Sequence, residues 1–265
     1  MSMLSNVFLK TLRDCRRSLP LWGIGMALLA LWVIVLYPTI GGIYADYLED
    51  LPPSLAIFMG GVSDIASPEG YLSIEIFSFM VPLLFLVLTI GFGGSTIARE
   101  EERGTLDLLL SNPISRWRVV VEKFAAMAVI TMLVALFLWL GLAIGATIAN
   151  VEISFLRMAE ATLSGALLGL AFGTLALAVA CATGKRGLSI GVAAALGIVS
   201  FFLNGFAPLV EVLEPYRKLS PFYYYSGAEP LINGLNLGHA AILLGFTLLL
   251  VAVALITFER RDLAV

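Results

Sequence analysis

Six stretches of this chain contain no Asp, Glu, Lys or Arg: approximately 21–43, 76–98, 124–149, 161–183, 188–208 and 240–258. Each has about the length needed to cross a ~30 Å hydrocarbon core, which takes roughly 20 helical residues. One charge at mid-span would cost about 2.5–3.5 kcal/mol on the insertion scale. In lipid every backbone polar group must be satisfied within its own segment, so the stretches are expected to be helices. Composition agrees: 60% of the 265 residues are apolar, 13% are charged, and the mean hydropathy is +0.97. A water-soluble domain is nearer half apolar and a quarter charged. The sequence therefore predicts an all-α membrane protein, one transmembrane domain over residues 1–265.

The basic residues orient it. Lys10, Arg13, Arg16 and Arg17 precede the first stretch, and Arg99, Arg103, Arg116, Arg118 and Lys123 lie between the second and third. Lys185 and Arg186 fill the turn between the fourth and fifth, and Arg260 and Arg261 follow the sixth. Only Arg157, Arg217 and Lys218 fall on the opposite side, while residues 44–73 carry five carboxylates and no base. The positive-inside rule then places both termini in the cytoplasm. The first apolar run exceeds the 7–15 residues of a signal peptide and is read as a retained span. Cys15 and Cys181 fall on or near the cytoplasmic side and imply no disulfide framework.

Residues 2–18 place Met3, Leu4, Val7, Phe8 and Leu12 at helical spacing against Lys10, Arg13 and Arg17. This pattern fits an amphipathic helix over residues 1–19 lying in the interface; the other reading is a basic tail. The charged loop between the second and third stretches reads "EEERGTLDLLLSNPISRWRVVVEK". Gly104 breaks the outgoing helix, Thr105 caps a short one with Asp107 in its first turn, and Asn112-Pro113 ends it. Leu106, Leu109 and Leu110 share a face ringed by charges. Such a knob either docks on another protein or lies on lipid with its charges solvated.

Several chemistries find no support. "CATGKRG" lacks a Walker A loop, with Val179 in place of the first glycine and Arg186 in place of Ser/Thr. The sole histidine, His239, stands at a span end, and no catalytic or metal-ligating constellation is expected. All six span centres lack the ionisable groups that coupled carriers keep at mid-membrane. Glycine faces recur at Gly165, Gly169 and Gly173, at Gly141 and Gly145, and at Gly187 and Gly191 with Ala195. They suit either close helix packing or a sliding interface. Between the fifth and sixth stretches, residues 204–239 are punctuated by Pro208, Pro215, Pro221 and Pro230 and carry an aromatic run, 222–225.

The loop from Glu100 to Lys123 closely resembles the first cytoplasmic loop of bacterial and archaeal ATP-binding-cassette (ABC) type-2 permeases, through Glu100–Glu102, Gly104-Thr105-Leu106, Leu108–Leu110, Pro113, Ser115-Arg116 and Lys123. Residues 51–84 also look familial, and with six spans the resemblance covers nearly the whole chain. It implies a permease half in the inner (cytoplasmic) membrane with no nucleotide-binding domain of its own. Its partners would be a separate ABC ATPase carrying ATP and Mg, a second permease copy or homologous permease, and the lipid bilayer, with no nucleic acid. The short helix would be the coupling helix, docking through Glu101, Glu102, Arg103, Gly104, Thr105, Leu106, Leu109, Leu110, Pro113 and Arg116. The N-terminal helix, through Phe8, Leu12 and Arg13, would be the connecting helix, and residues 204–239 either a re-entrant hairpin or an ordinary outer loop. A dimer seam between the second and fifth spans would offer Phe77, Phe85, Phe201, Phe202 and Asn204 as pathway lining. The expected activity is export of an antibiotic, drug or other amphipathic or lipid-like compound. The competing readings are a secondary transporter or channel without an ATPase, and a permease-like subunit in metalloenzyme maturation.

Overall fold

The computed structural model describes residues 7–49, 67–102, 104 and 115–261, with side chains left out for 41–49. Among the described residues the secondary structure is helical throughout, with no strand. An N-terminal helix, Val7–Asp14, precedes six helices long and apolar enough to cross a membrane. We call these spans 1 to 6: Ser18–Ile40, Pro68–Thr96, Arg116–Ala149, Phe155–Thr183, Arg186–Leu209 and Leu237–Arg260.

Span 4 is the axis of the bundle, packing against spans 2, 3, 5 and 6, and 83% of its apolar stretch is buried. Its glycines make that possible. A Cβ on Gly165 would sit 2.9 Å from Val81, one on Gly169 2.9 Å from Phe85, and one on Gly173 2.6 Å from Thr89, all on span 2. From the opposite side, a Cβ on Gly93 would run into the carbonyl oxygen of Gly173. At this distance the Thr89 hydroxyl donates across to the Gly169 carbonyl at 2.7 Å. Lipid tails are as apolar as leucine, so close packing and such bonds, rather than the hydrophobic effect, hold helices together in a bilayer. Spans 1 and 3 repeat the arrangement, with Gly141 against the Ala27 backbone and Gly145 against Ile34.

Span 2 is interrupted. It starts at Pro68 with the Ser67 hydroxyl accepting from Gly70 N at 3.0 Å, then widens into a π-helical turn, Ser73–Phe77. Phe79 leaves helical geometry (φ −134°) before the helix resumes at Met80. Pro82 supplies the reason, because it has no N–H to give the preceding turn and its ring crowds that turn's carbonyl.

From the last turn of span 5 onward the four prolines each stand in the first turn of a short helix: Ala207–Leu209, which ends span 5, then Glu214–Leu219, Pro221–Ser226 and Pro230–Asn233. Proline suits that position because its missing N–H has no intrahelical acceptor there. Phe222 and Tyr225 are buried against span 4 in a cluster with Leu168 and Phe172. The Tyr225 hydroxyl donates to the Phe77 carbonyl at 2.6 Å, and Ser164 donates to the Tyr225 carbonyl at 2.9 Å. Burial pushes the Tyr225 phenol up.

Candidate functional site

The charged loop is rooted at the end of the bundle that carries the N-terminal helix, the turn between spans 4 and 5, and the end of span 6. The helix Ala98–Glu102 follows span 2 directly and holds three glutamates in a row. Successive residues on a helix point about 100° apart, so three consecutive carboxylates cannot share a face. Each reaches a different element.

Glu100 Oε1 accepts from Lys123 Nζ of span 3 at 2.9 Å and from Lys10 Nζ of the N-terminal helix at 3.2 Å. Lys123 is only 4% exposed, so its ammonium meets this carboxylate rather than water. Glu101 forms a two-pronged pair with Arg261, just past span 6; the Nη1–Oε2 arm measures 3.0 Å and the second joins Nη2 to Oε1. Glu102 accepts from the backbone N–H of Arg186 at 3.3 Å, where span 5 begins. The Arg186 side chain in turn donates to Ser95 Oγ of span 2 at 2.9 Å.

The backbone around this node is shaped to fit. Gly184 caps span 4 with φ +67°, and a Cβ there would collide with Arg261 Nη2 and lie 2.6 Å from Glu101 Oε1. Glycine satisfies both the left-handed turn and the space. Gly104, at φ +64°, donates to the Glu101 carbonyl at 2.9 Å and ends the helix. Glu122 of span 3 takes the Phe8 N–H at 2.9 Å, one of the free donors at the start of the N-terminal helix, and pairs with Arg118 at 2.6 Å. Burial, and then the neighbouring Asp14 charge, push the Cys15 thiol up.

Of the expected docking residues, Arg103, Thr105, Leu106, Leu109, Leu110 and Pro113 lie outside the described residues. Gly104 occupies the break anticipated for it. Glu101 and Arg116 are engaged within the chain. Arg116 Nη1 donates to the Arg261 carbonyl at 2.7 Å, holding the end of span 6. In the N-terminal helix, Val7 and Thr11 are the buried positions, Phe8 and Leu12 are half-buried, and Arg13 is exposed.

The expected lining residues separate into three groups. Phe201 and Phe202 line an apolar groove of about 590 Å³ between spans 2 and 5. Phe77 and Asn204 line a small pocket under the short helices, where Asn204 accepts from Arg217 Nε at 3.2 Å and donates to Ser226 at 3.4 Å. Phe85 has no exposed surface and fills the seam that Gly165 and Gly169 leave open, so within this chain it is packing rather than lining.

Glu100 and Lys123 carry the family resemblance, but neither they nor Lys10, Glu122 and Arg261 are among the site residues expected from sequence. A signal existed for the glutamates, since a tri-glutamate run on a helix must serve several directions. Nothing in the sequence pairs them with partners 23 to 160 positions away.

A family model described as ABC-2 family transporter protein matches residues 5–263. The probable ABC transporter permease protein NosY of Pseudomonas aeruginosa is 35% identical over 148 residues, which cover 54% of this chain and 52% of that protein. The match therefore spans about half the length of this curated relative.

Proposed function

As a member of the ABC-2 family of transporter proteins, the chain is a membrane transport subunit, and we propose that it is the permease half of an ATP-driven exporter. The basic end faces the cytoplasm, as the positive-inside rule requires. Two copies, or this chain with a homologous permease, form the pathway, and each docks a separate ATPase subunit that binds ATP and Mg. The cargo is an amphipathic compound of the antibiotic, drug or lipid-like class.

The observation that carries this reading is the tri-glutamate root. A loop that only joined two spans would need no ties at its base. Here Glu100, Glu101 and Glu102 bind the root of residues 103–114 to span 3, the end of span 6 and the start of span 5, and Lys10 adds the N-terminal helix. A push on the loop is therefore delivered to four elements at once rather than absorbed by a flexible joint. The leucine face of 105–111 would be the seat of the ATPase, and the tri-glutamate helix the lever arm behind it.

Co-purification with a candidate ATPase tests the docking half. Leu109→Asp should abolish complex formation while leaving the permease folded, because it puts a charge at the centre of an apolar anchor. A complex that survives this substitution at wild-type affinity would remove the leucine face from the interface.

A further inference from the structure

At the basic end lies a third cavity, of about 650 Å³, walled by the N-terminal helix, the start of span 1, spans 2, 3 and 5 and the helix Ala98–Glu102. Four cations line it, Lys10, Arg99, Lys123 and Arg186, against two carboxylates, Asp14 and Glu100. Glu100 is shared by both lysines. Arg99 is exposed and makes no hydrogen bond or ion pair among the described residues, and the Arg186 guanidinium meets a neutral serine. The cavity thus keeps a positive excess and unspent donors.

This cavity meets the apolar groove. Gly91 lines both. On span 2, Ser95 and Gly91 line the charged cavity, and Gly91, Ile90, Val87, Leu86, Leu83 and Phe79, spaced three and four apart, line the groove, so a continuous stripe of the helix runs from one to the other. On span 5, Arg186, Ile190, Ala194 and Ile198 do the same. A Cβ on Gly91 would meet nothing within 4 Å, so among the described residues no side chain occupies that point of the junction. From Gly91 to the start of the regular helix at Met80, beside Phe79, the rise is about 16 Å, close to the ~15 Å of hydrocarbon in one leaflet.

From this we infer that the cleft between spans 2 and 5 binds an anionic phospholipid of the inner leaflet, its phosphate headgroup held by Arg99, Arg186 and Lys10 and its acyl chain laid along the Gly91–Phe79 face. Charge complementarity selects the occupant. A neutral lipid leaves Arg99 unpaired, and a second copy of this chain would have to bring a carboxylate to the same spot. Basic pockets between membrane helices on the cytoplasmic side are suited to acidic headgroups. The inference uses the orientation proposed above, but neither an ATPase nor transport.

The test is lipid retention by the full chain. The protein is reconstituted in nanodiscs of phosphatidylcholine and phosphatidylglycerol with matched chains, extracted gently, and its bound lipid counted by native mass spectrometry. Wild type should retain phosphatidylglycerol in preference to phosphatidylcholine. Arg99→Gln and Arg186→Gln should each lower that preference roughly fivefold, since one basic side chain near a membrane surface contributes about that factor. Gly91→Phe, which enters open space, should lower retention of both lipids. Equal retention of the two lipids, or an unchanged preference in the double glutamine variant, overturns the proposal. So does displacement by millimolar glycerol phosphate with no effect of Gly91→Phe, which would mark a site for free phosphates. Val87→Cys provides the last arm: if it cross-links copies of the chain beyond the unsubstituted control while no lipid is retained, a second copy fills the groove and the proposal fails. Leu109→Asp should leave retention unchanged, so loss of ATPase docking and loss of the lipid site are separate results.

Discussion

Spans 4 and 5 carry the same sequence pattern, small residues every four positions, and meet opposite fates. Gly165, Gly169 and Gly173 of span 4 each press on a side chain of span 2, whereas a Cβ on Gly187 or Gly191 of span 5 would meet nothing. Of their apolar stretches, 83% is buried in span 4 and 17% in span 5. Span 4 is held by packing along its length. Span 5 is held strongly at its ends, by Glu102 and Ser95 at Arg186 and by Ser220 on the Ser200 carbonyl with Arg217 and Ser226 on Asn204. A helix fixed at its ends and open along one face can shift against its neighbour without breaking a core. That is the property a pathway wall needs.

The largest effect should come from trying to make span 4's seam behave like span 5's face. Gly93→Leu drives a side chain into the Gly173 carbonyl, and backbone cannot step aside as a side chain can. Overpacking costs about 1–3 kcal/mol where side chains can adjust, and here the expected outcome is loss of monodisperse protein in fluorescence-detected size exclusion. Gly191→Leu in the same assay should match wild type. Equal damage from the two would erase the distinction between the helices.

Next comes the buried charge that anchors the lever. Lys123→Met takes from Glu100 its more buried lysine and leaves Lys10 in place, and removing one member of a buried pair weakens the hold on the other. A loss of roughly 2–3 kcal/mol is expected, below the usual range for such breaks because Lys10 remains. Thermal unfolding in detergent would record it, and Glu100→Gln in the same background should recover part of the loss.

Smaller is the loosening of span 5 at its far end. Ser220 is buried, donating to the Ser200 carbonyl at 2.7 Å and accepting from Phe222 N at 3.1 Å. Ser220→Ala should cost about 1–2 kcal/mol, the usual penalty for stranding buried partners. Hydrogen exchange should rise at the start of Pro221–Ser226 while span 4 stays protected.

The smallest effect is kinetic. The Cys15 thiol is pushed up by burial and Asp14, and only the thiolate reacts. Its labelling by maleimide should lag a free cysteine peptide at pH 7, the rate still climbing above the pH where the peptide levels off. Asp14→Asn should speed it modestly.

The membrane part was legible because a missing charge is a local signal. Each charge-free stretch became a span, although the helices outrun them: span 3 starts at Arg116 rather than 124, and span 2 at Pro68 rather than 76. The stretches mark hydrocarbon, and helices continue into the polar layer where Lys123 and Glu100 can pair. The four prolines marked four short helices for an equally local reason. Partner choice was not legible. Glycine spacing reads alike in spans 4 and 5, and only the fold decides which face receives a neighbour. Phe85, expected to line the pathway, packs inward because Gly165 and Gly169 opposite it leave room for its ring. Glu101 and Arg116, expected to face a partner chain, find Arg261 first because span 6 returns beside the loop root.

The central claim is that the tri-glutamate root transmits motion from the loop to span 5. Its most direct test is a complex of the permease with its ATPase, carrying a reporter cysteine at Val199 on the exposed face of span 5, with and without Glu100→Gln, Glu101→Gln and Glu102→Gln together. The account predicts that ATP changes the reporter's labelling rate in the parent complex, and that the triple variant still binds the ATPase but loses the ATP-dependent change. An undiminished ATP response in the triple variant would contradict it.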